Sequence, residues 1–119
     1  DAVLHAVIDA LLGAAGLGDI GEHFPDTEPR WKGADSSHLL SHVVSLLAGR
    51  EYRIINCDIT IITQAPKLSP YKESMRQHIA EILGTGVDAV SVKAKTNEHM
   101  GWIGRGEGLA AIAAVSIDS

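Results

Sequence analysis

His5 and Asp9 are the first residues of this chain whose types and spacing could support chemistry. They stand four residues apart in an otherwise apolar stretch, and positions i, i+4 and i+8 of an α-helix lie on one face. A carboxylate beside an imidazole fixes its tautomer and raises its basicity, as it does in histidines that ligate metals. The spacing leaves two interpretations open: a metal-ligating histidine, or a polar stripe that pairs with a neighbouring element.

Acidic residues crowd a second segment, which is rich in glycine and proline and shows no periodicity. They are Asp19, Glu22, Asp26 and Glu28. A long loop without periodicity is often functional. Several carboxylates close together are also typical of a solvated surface loop. Composition alone does not separate the two interpretations.

Thr96 and Glu98 follow directly from a predicted strand, at the position where open sheets commonly place their ligands. Four glycines close behind them allow close backbone approach and positive φ angles, and Arg105 could clamp an anion. The segment is not a phosphate-binding P-loop, because no Gly-Lys-Ser/Thr follows at the required spacing. A tight turn with a bulge is the structural alternative.

The stretch "TQAPKLSP" joins the end of a predicted strand to the start of a predicted helix. Pro66 ends the strand because it cannot donate to a sheet ladder, and Pro70 suits the first turn of a helix. Backbone groups exposed here could contact the edge of a base, and a helix N-terminus favours anions. Lys67 is either a phosphate ligand or a solvated surface residue.

Composition limits the class of protein. The 119 residues are 45% apolar and 21% charged, which predicts one globular domain over residues 1–119. The net charge of −5 with scattered basic residues argues against nucleic-acid binding, and no apolar run is long enough to span a membrane. Cys57, the single cysteine, lies in an apolar strand and is interpreted as a core residue rather than a reactive thiol.

Periodicity predicts an α+β fold, with a mixed sheet that carries its helices on one face. The last strand has small apolar side chains on both faces, so the second face of the sheet needs a cover, and oligomerisation through the sheet would supply one. The predicted elements are helices at 2–15, 36–49 and 69–83, strands at 52–64, 89–96 and 109–117, and loops at 17–34 and 97–108.

Four segments, taken in order, resemble the family of 2-C-methyl-D-erythritol 2,4-cyclodiphosphate synthases, enzymes of the non-mevalonate isoprenoid pathway. The segments are "DAVLHAVIDALLGAAGLGDIG", "FPDTEPRWKGADS", "TQAPK" and "KTNEHMGWIGRGEG". The resemblance implies a phosphorus–oxygen lyase that cyclises 4-diphosphocytidyl-2-C-methyl-D-erythritol 2-phosphate and releases CMP. It also implies a homotrimer whose active sites lie between subunits, each using Zn²⁺ and a second ion, Mg²⁺ or Mn²⁺, without nucleic-acid or membrane partners.

The resemblance also assigns roles to individual residues. His5 matches a zinc ligand, Thr96 a residue that stabilises the transition state, and Glu98 a ligand of the second metal. We interpret Asp9, one helical turn after His5, as the residue that supports it rather than as a ligand. Positions that match contacts to the methylerythritol moiety and nearby groups are Asp19, Ile20, Gly21, Phe24, Pro25, Asp26, Thr27 and Glu28. The segment that matches the cytidine site is Thr63, Gln64, Ala65, Pro66, Lys67, Leu68 and Ser69. Further substrate contacts match Lys95, Thr96, Asn97, Trp102 and Arg105.

Two departures from the family pattern bear on these expectations. The Asp-x-His pair that supplies the family's other zinc ligands is expected upstream of Asp1, so this chain should bind zinc weakly or not at all. Lys95 stands where many members have threonine, either as an added phosphate contact or as ordinary variation. A trimeric scaffold that binds a cytidine nucleotide or an isoprenoid diphosphate without turnover is the alternative function, and a phosphohydrolase is a third. We expect a bacterial cytoplasmic protein, with a plastid-targeted form as the alternative.

Overall fold

The elements follow the predicted order, with two short helices added. The computed structural model describes residues 2–25, 34–64, 69–96, 98–106 and 108–119. The helices are α1 (Ala2–Ala14), α2 (Ile20–His23), α3 (Ser36–Gly49), α4 (Ser69–Leu83) and α5 (Gly101–Gly104), and a 3₁₀ turn spans Val87–Ala89. The strands are β1 (Arg53–Thr63), β2 (Val90–Lys95) and β3 (Leu109–Asp118).

The described strands form a mixed sheet in the order β2-β1-β3, which confirms the predicted sheet type. β1 runs parallel to β2, with Ile59 opposite Val92, and antiparallel to β3, with Ile59 opposite Ala113. β-branched residues dominate the central strand, as expected of side chains that pack on a pleated surface. Parallel pairing brings the carboxyl ends of β1 and β2 to the same edge of the sheet.

The helices cover one face of this sheet. Cys57, Ile59 and Ile61 of β1 point into the core, in alternation with more accessible neighbours. α1 packs on β3 and α3, and α4 packs on β2. The buried residues of α1 recur at helical spacing: Val3, Leu4, Val7, Ile8, Leu11 and Leu12. This apolar stripe explains why a segment with few helix-stabilising charges is helical.

The second face of the sheet carries both an ion pair and apolar side chains. Lys93 Nζ lies 2.9 Å from Asp58 Oδ2 across the two parallel strands. Ile112 of β3 is 60% exposed, whereas Ala113 and Val115 pack against the core. Both faces of β3 therefore carry apolar side chains, as predicted, and in the single chain the outer face is exposed to solvent.

An N-cap contact explains the first of the two short helices that periodicity did not predict. Asp19 precedes α2 and its Oδ1 accepts a hydrogen bond from the Glu22 N–H at 3.0 Å, the usual contact of an N-cap carboxylate. α5 begins at Gly101, whose φ of 62° is accessible to glycine without strain. Four residues are too few to show a helical period.

Cys57 is a core residue, as the sequence predicted. It is 1% exposed, and burial, together with the neighbouring charge of Asp58, raises the pKa of its thiol to about 11. A thiol held in its protonated form is a poor nucleophile.

Helices of the length and apolarity that a membrane crossing requires do not occur among the described residues.

Candidate active site

The ends of the two parallel strands bring two of the predicted site segments together. Ile62 of β1 pairs with Lys95 of β2, so Thr63 and Gln64 emerge from the sheet beside Thr96. Thr63 is buried, whereas Lys95 and Thr96 are exposed. The sheet edge thus joins the start of the predicted cytidine segment to the predicted catalytic threonine.

The turn after β2 has an unusual backbone. Glu98 and His99 have φ angles of 54° and 59°, in the left-handed region that side chains other than glycine disfavour. The His99 N–H donates to Gln64 Oε1 at 3.0 Å. The Glu98 N–H donates to Thr96 Oγ1 over a longer distance of 3.5 Å. The exposed Glu98 side chain therefore projects from a conformation that these contacts hold.

α5 closes the turn from the other side. Gly104 packs so tightly on the backbone of His99 that a Cβ there would overlap the His99 carbonyl carbon. The Trp102 ring lies over Gly108, where an added Cβ would be 2.7 Å from Cζ3. Trp102 is 50% exposed and Arg105 is exposed, so both remain accessible near the turn. Glycine at position 104 is a packing requirement because its neighbour is backbone, whereas at position 108 the neighbour is the half-exposed Trp102 ring, which can move. The sequence alone leaves both glycines as a choice between a turn and a ligand site.

A second group of predicted residues lies where α1 meets α2. Asp9 Oδ1 accepts a hydrogen bond from the Ile20 N–H at 3.0 Å. The structure thus gives Asp9 a different partner from the one expected, since its carboxylate was interpreted as the support of His5. The His23 Nε2–H donates to the Leu17 carbonyl at 2.6 Å, so both links fix the turn that contains Asp19.

Phe24 occupies a position that its predicted role did not suggest. Its side chain is 8% exposed within the core and makes an edge-on contact with the His42 ring, with centroids 5.6 Å apart. Pro25, the next residue, is half-buried. Other predicted contacts lie outside the described residues: Asp26, Thr27, Glu28, Ala65, Pro66, Lys67, Leu68 and Asn97. For Ser69 only the backbone, as the first residue of α4, is described.

The described residues do not fit a zinc site. Structural and catalytic zinc ions take three or four protein ligands, and His5 is exposed on α1. Within the described ranges, no three histidine, cysteine, aspartate or glutamate side chains are placed to hold a metal ion. Glu98 fits a different kind of ion, because Mg²⁺ and similar ions are often held by one or two carboxylates together with substrate phosphates.

A surface cavity of about 460 Å³ lies away from this edge, between α4 and β2. Arg76 lines it, but its guanidinium is engaged by the carbonyls of Val87 and Val90 and by Glu73. The arginine ties the 3₁₀ turn and the start of β2 to α4. Its role is structural.

Known proteins share both the fold and the sequence pattern of this chain. The model of the YgbB family matches residues 1–118. The chain belongs to the YgbB family. A curated relative from Symbiobacterium thermophilum, named 2-C-methyl-D-erythritol 2,4-cyclodiphosphate synthase, is 56% identical over 117 residues, which are 98% of this chain and 74% of the relative.

Solved structures of YgbB relatives match the fold closely. The bifunctional IspDF of Campylobacter jejuni aligns with a TM-score of 0.93 and 42% identity, over 98% of this chain and 32% of that protein. IspF of Plasmodium falciparum, solved as a CDP complex, aligns with a TM-score of 0.85 and 32% identity, over 98% of this chain and 69% of that one. This chain therefore spans about three quarters of its Symbiobacterium relative and about a third of the bifunctional enzyme.

Proposed function

We propose that this protein is a 2-C-methyl-D-erythritol 2,4-cyclodiphosphate synthase. It cyclises 4-diphosphocytidyl-2-C-methyl-D-erythritol 2-phosphate by attack of the 2-phosphate on the β-phosphorus and releases CMP. The observation that carries the proposal is the shared sheet edge, where Gln64 meets the turn that carries Glu98. Support comes from the names of its YgbB relatives and from the relative solved with CDP.

The reaction brings a phosphate against a diphosphate, so its main obstacle is the repulsion between anions. A protein of net charge −5 offers little positive charge of its own. A divalent ion, Mg²⁺ or Mn²⁺, held by Glu98 would neutralise phosphate charge. We propose that Thr96 donates its hydroxyl to a phosphate oxygen and that Arg105 pairs with a phosphate. The reaction needs no covalent nucleophile, which agrees with the inert, buried Cys57.

We assign substrate binding to two groups of residues. Thr63, Gln64 and the segment up to Ser69 hold the cytidine end at the carboxyl end of β1. The turn at Asp19, Ile20 and Gly21 contacts the substrate as well and is fixed to α1 through Asp9, and the loop from Phe24 to Glu28 is proposed to surround the methylerythritol moiety. His5 is proposed as one ligand of a zinc site that other residues would complete.

We propose a homotrimer of single-domain subunits, packed through the second face of the sheet. The exposed Ile112 lies on this face, beside the Asp58–Lys93 ion pair. An apolar strand face of this kind is typical of an interface. Active sites between subunits would then combine residues of two copies, and the protein would act in the bacterial cytoplasm.

Release of CMP from the substrate tests the proposal. The full-length protein is incubated with substrate and Mg²⁺ or Mn²⁺, and CMP and the cyclic diphosphate are measured. We expect both products from the wild type, and a loss of at least about 100-fold in turnover for Glu98→Gln, since the amide is a poor ligand for a hard cation. Glu81→Gln, an exposed residue of α4, is the matched control and should leave turnover unchanged.

Other products would contradict the proposal. Cytidine-nucleotide binding without any product would favour a binding scaffold, and free orthophosphate would favour a phosphohydrolase. If Glu98→Gln were as active as Glu81→Gln, the metal role of Glu98 would be wrong.

A further inference from the structure

We propose that Gln64 is a positioning residue, whose side-chain carbonyl holds the turn that presents Glu98. The contact is the hydrogen bond from the His99 N–H to Gln64 Oε1, 3.0 Å long, between residues 35 positions apart. The inference rests on the proposed function for what Glu98 binds. The positioning itself rests on the geometry of the turn.

The turn needs such support because its backbone is strained. Glu98 and His99 are consecutive non-glycine residues with φ angles of 54° and 59°. L-residues visit this region only at a cost, and they persist there when the surroundings determine the conformation. Without support the turn would relax toward the ordinary region, and the Glu98 carboxylate would move with it.

The contacts around His99 divide into local and long-range ones. Thr96 Oγ1 reaches the Glu98 N–H, and Gly104 packs on the His99 backbone, but both residues belong to the same excursion of the chain after β2. These local contacts fix the shape of the turn, and α5, which contacts β1, helps to place it by packing. Gln64 lies directly after β1, so its hydrogen bond anchors the turn to the central strand of the sheet.

This anchor gives Gln64 a second role beyond its place in the predicted cytidine segment. Its backbone continues into that segment, while its side chain holds the turn of the predicted metal ligand. A displacement of Gln64 would therefore change the position of Glu98, so the cytidine end of the substrate and the metal at its phosphates would be held by connected parts of the chain. Sites linked through a shared element affect one another's affinity reciprocally.

Two substitutions separate the hydrogen bond from the size of the side chain. Gln64→Met keeps the length of the side chain and removes the acceptor, whereas Gln64→Glu keeps an acceptor oxygen at the same position. Gln77→Met is the matched control, because Gln77 is an exposed glutamine of α4 whose side chain donates to Glu73 over a long distance of 3.4 Å.

Backbone hydrogen exchange measures the anchor directly in the full-length protein. We expect the amide of His99 to exchange about fivefold to tenfold faster in Gln64→Met, the effect of losing one hydrogen bond, relative to the core amide of Ile59 in the same sample. Gln64→Glu and Gln77→Met should keep the wild-type ratio. The comparison with Ile59 corrects for any loss of global stability.

Metal dependence provides the functional measurement. Titration with Mn²⁺, followed by electron paramagnetic resonance of the free ion, should show binding weakened about fivefold to tenfold in Gln64→Met. The Mn²⁺ concentration for half-maximal CMP release should rise by a similar factor, and saturating Mn²⁺ should restore most of kcat. Metal that binds the folded state also offsets a loss of stability, so the His99-to-Ile59 exchange ratio is the readout that separates positioning from stability.

The proposal is overturned if the His99 exchange ratio in Gln64→Met equals that of the wild type, or if Gln64→Glu loses protection as Gln64→Met does. Its failure is distinguishable from failure of the proposed function. Absence of CMP from the wild type would contradict the function and leave the exchange result standing, whereas normal CMP release with unchanged exchange would contradict the anchor alone.

Discussion

Asp9 and Ile20 connect the first helix to the turn that follows it: Asp9 Oδ1 accepts a hydrogen bond from the Ile20 N–H at 3.0 Å. The carboxylate thereby satisfies a backbone donor at the start of α2, which has no partner within its own helix. One turn earlier on α1, His5 is exposed. The two residues that first suggested a single metal site thus serve different parts of the proposed site.

The Asp9 contact predicts a difference between two substitutions. Asp9→Leu removes the acceptor and should lower the free energy of unfolding by about 1 kcal/mol and raise the exchange rate of the Ile20 amide. Asp9→Asn keeps an acceptor oxygen at the same place and should stay close to the wild type in both measurements. Equal losses for the two variants would instead indicate that the negative charge matters, as a role in supporting His5 requires.

Gly104 predicts a steric effect on the turn that carries Glu98. The methyl group of Gly104→Ala would overlap the His99 carbonyl carbon, so we expect a loss of about 1–3 kcal/mol in stability and at least a tenfold loss of CMP release. Gly49→Ala is the control, because its Cβ meets nothing within 4 Å at the end of α3. It should be neutral or slightly stabilising in urea denaturation. Similar results for the two variants would contradict the packing argument.

The outer face of β3 predicts the oligomeric state. Ile112→Lys places a charge at the centre of the proposed interface, opposite Thr60 in the strand register, and should convert the trimer to monomers. Tyr71→Lys is the control, since Tyr71 is equally exposed, at 60%, but lies on α4. Light scattering during size-exclusion chromatography measures both masses. A trimer that survives Ile112→Lys would exclude this face as the contact.

Cys57 predicts a pH dependence of stability. Because burial raises the pKa of its thiol from 9.0 to about 11, the unfolded chain loses the proton between these values while the folded chain keeps it. The buried, protonated thiol contributes fully to the free energy of unfolding below pH 9. This contribution is lost as the pH rises toward 11, at up to about 1.4 kcal/mol per pH unit.

Comparison with Cys57→Ala isolates this effect from other groups that titrate in the same range. Urea denaturation between pH 8 and 10.5 should show a steeper decline for the wild type than for the variant. Parallel curves would contradict the protonated state of the buried thiol.

The sequence predicted those parts of the fold that depend on local patterns. α1 and α3 follow from apolar residues at helical spacing, and β1 follows from its β-branched residues. α2 and α5 were missed because four residues cannot show a period and because their start depends on one cap or one positive φ angle.

Long-range contacts set the limit of prediction at the site. The placement of Thr96 at a strand end followed from the alternation before it, but the link from Gln64 to His99 crosses 35 residues and leaves no periodic signal. The link between Gln64 and His99 could have been suggested only by predicting that the two strands pair in parallel, because parallel pairing places their carboxyl ends side by side. The partner of Asp9 was missed for the same reason. Helical spacing suggests a partner on α1, namely His5, whereas the observed contact is with Ile20, beyond the end of that helix.

The central position of β1 has a consequence for biosynthesis. Asp58 pairs with Lys93 of β2, which lies 35 residues later in the chain. Arg53 pairs with Asp118 of β3, which lies 65 residues later. At translation rates of about 5–20 residues per second, the central strand leaves the ribosome seconds before either neighbour exists. Both of its edges are then open to other chains. Until β3 has closed the last edge of β1, the nascent chain therefore exposes an unpaired strand of the kind that promotes aggregation.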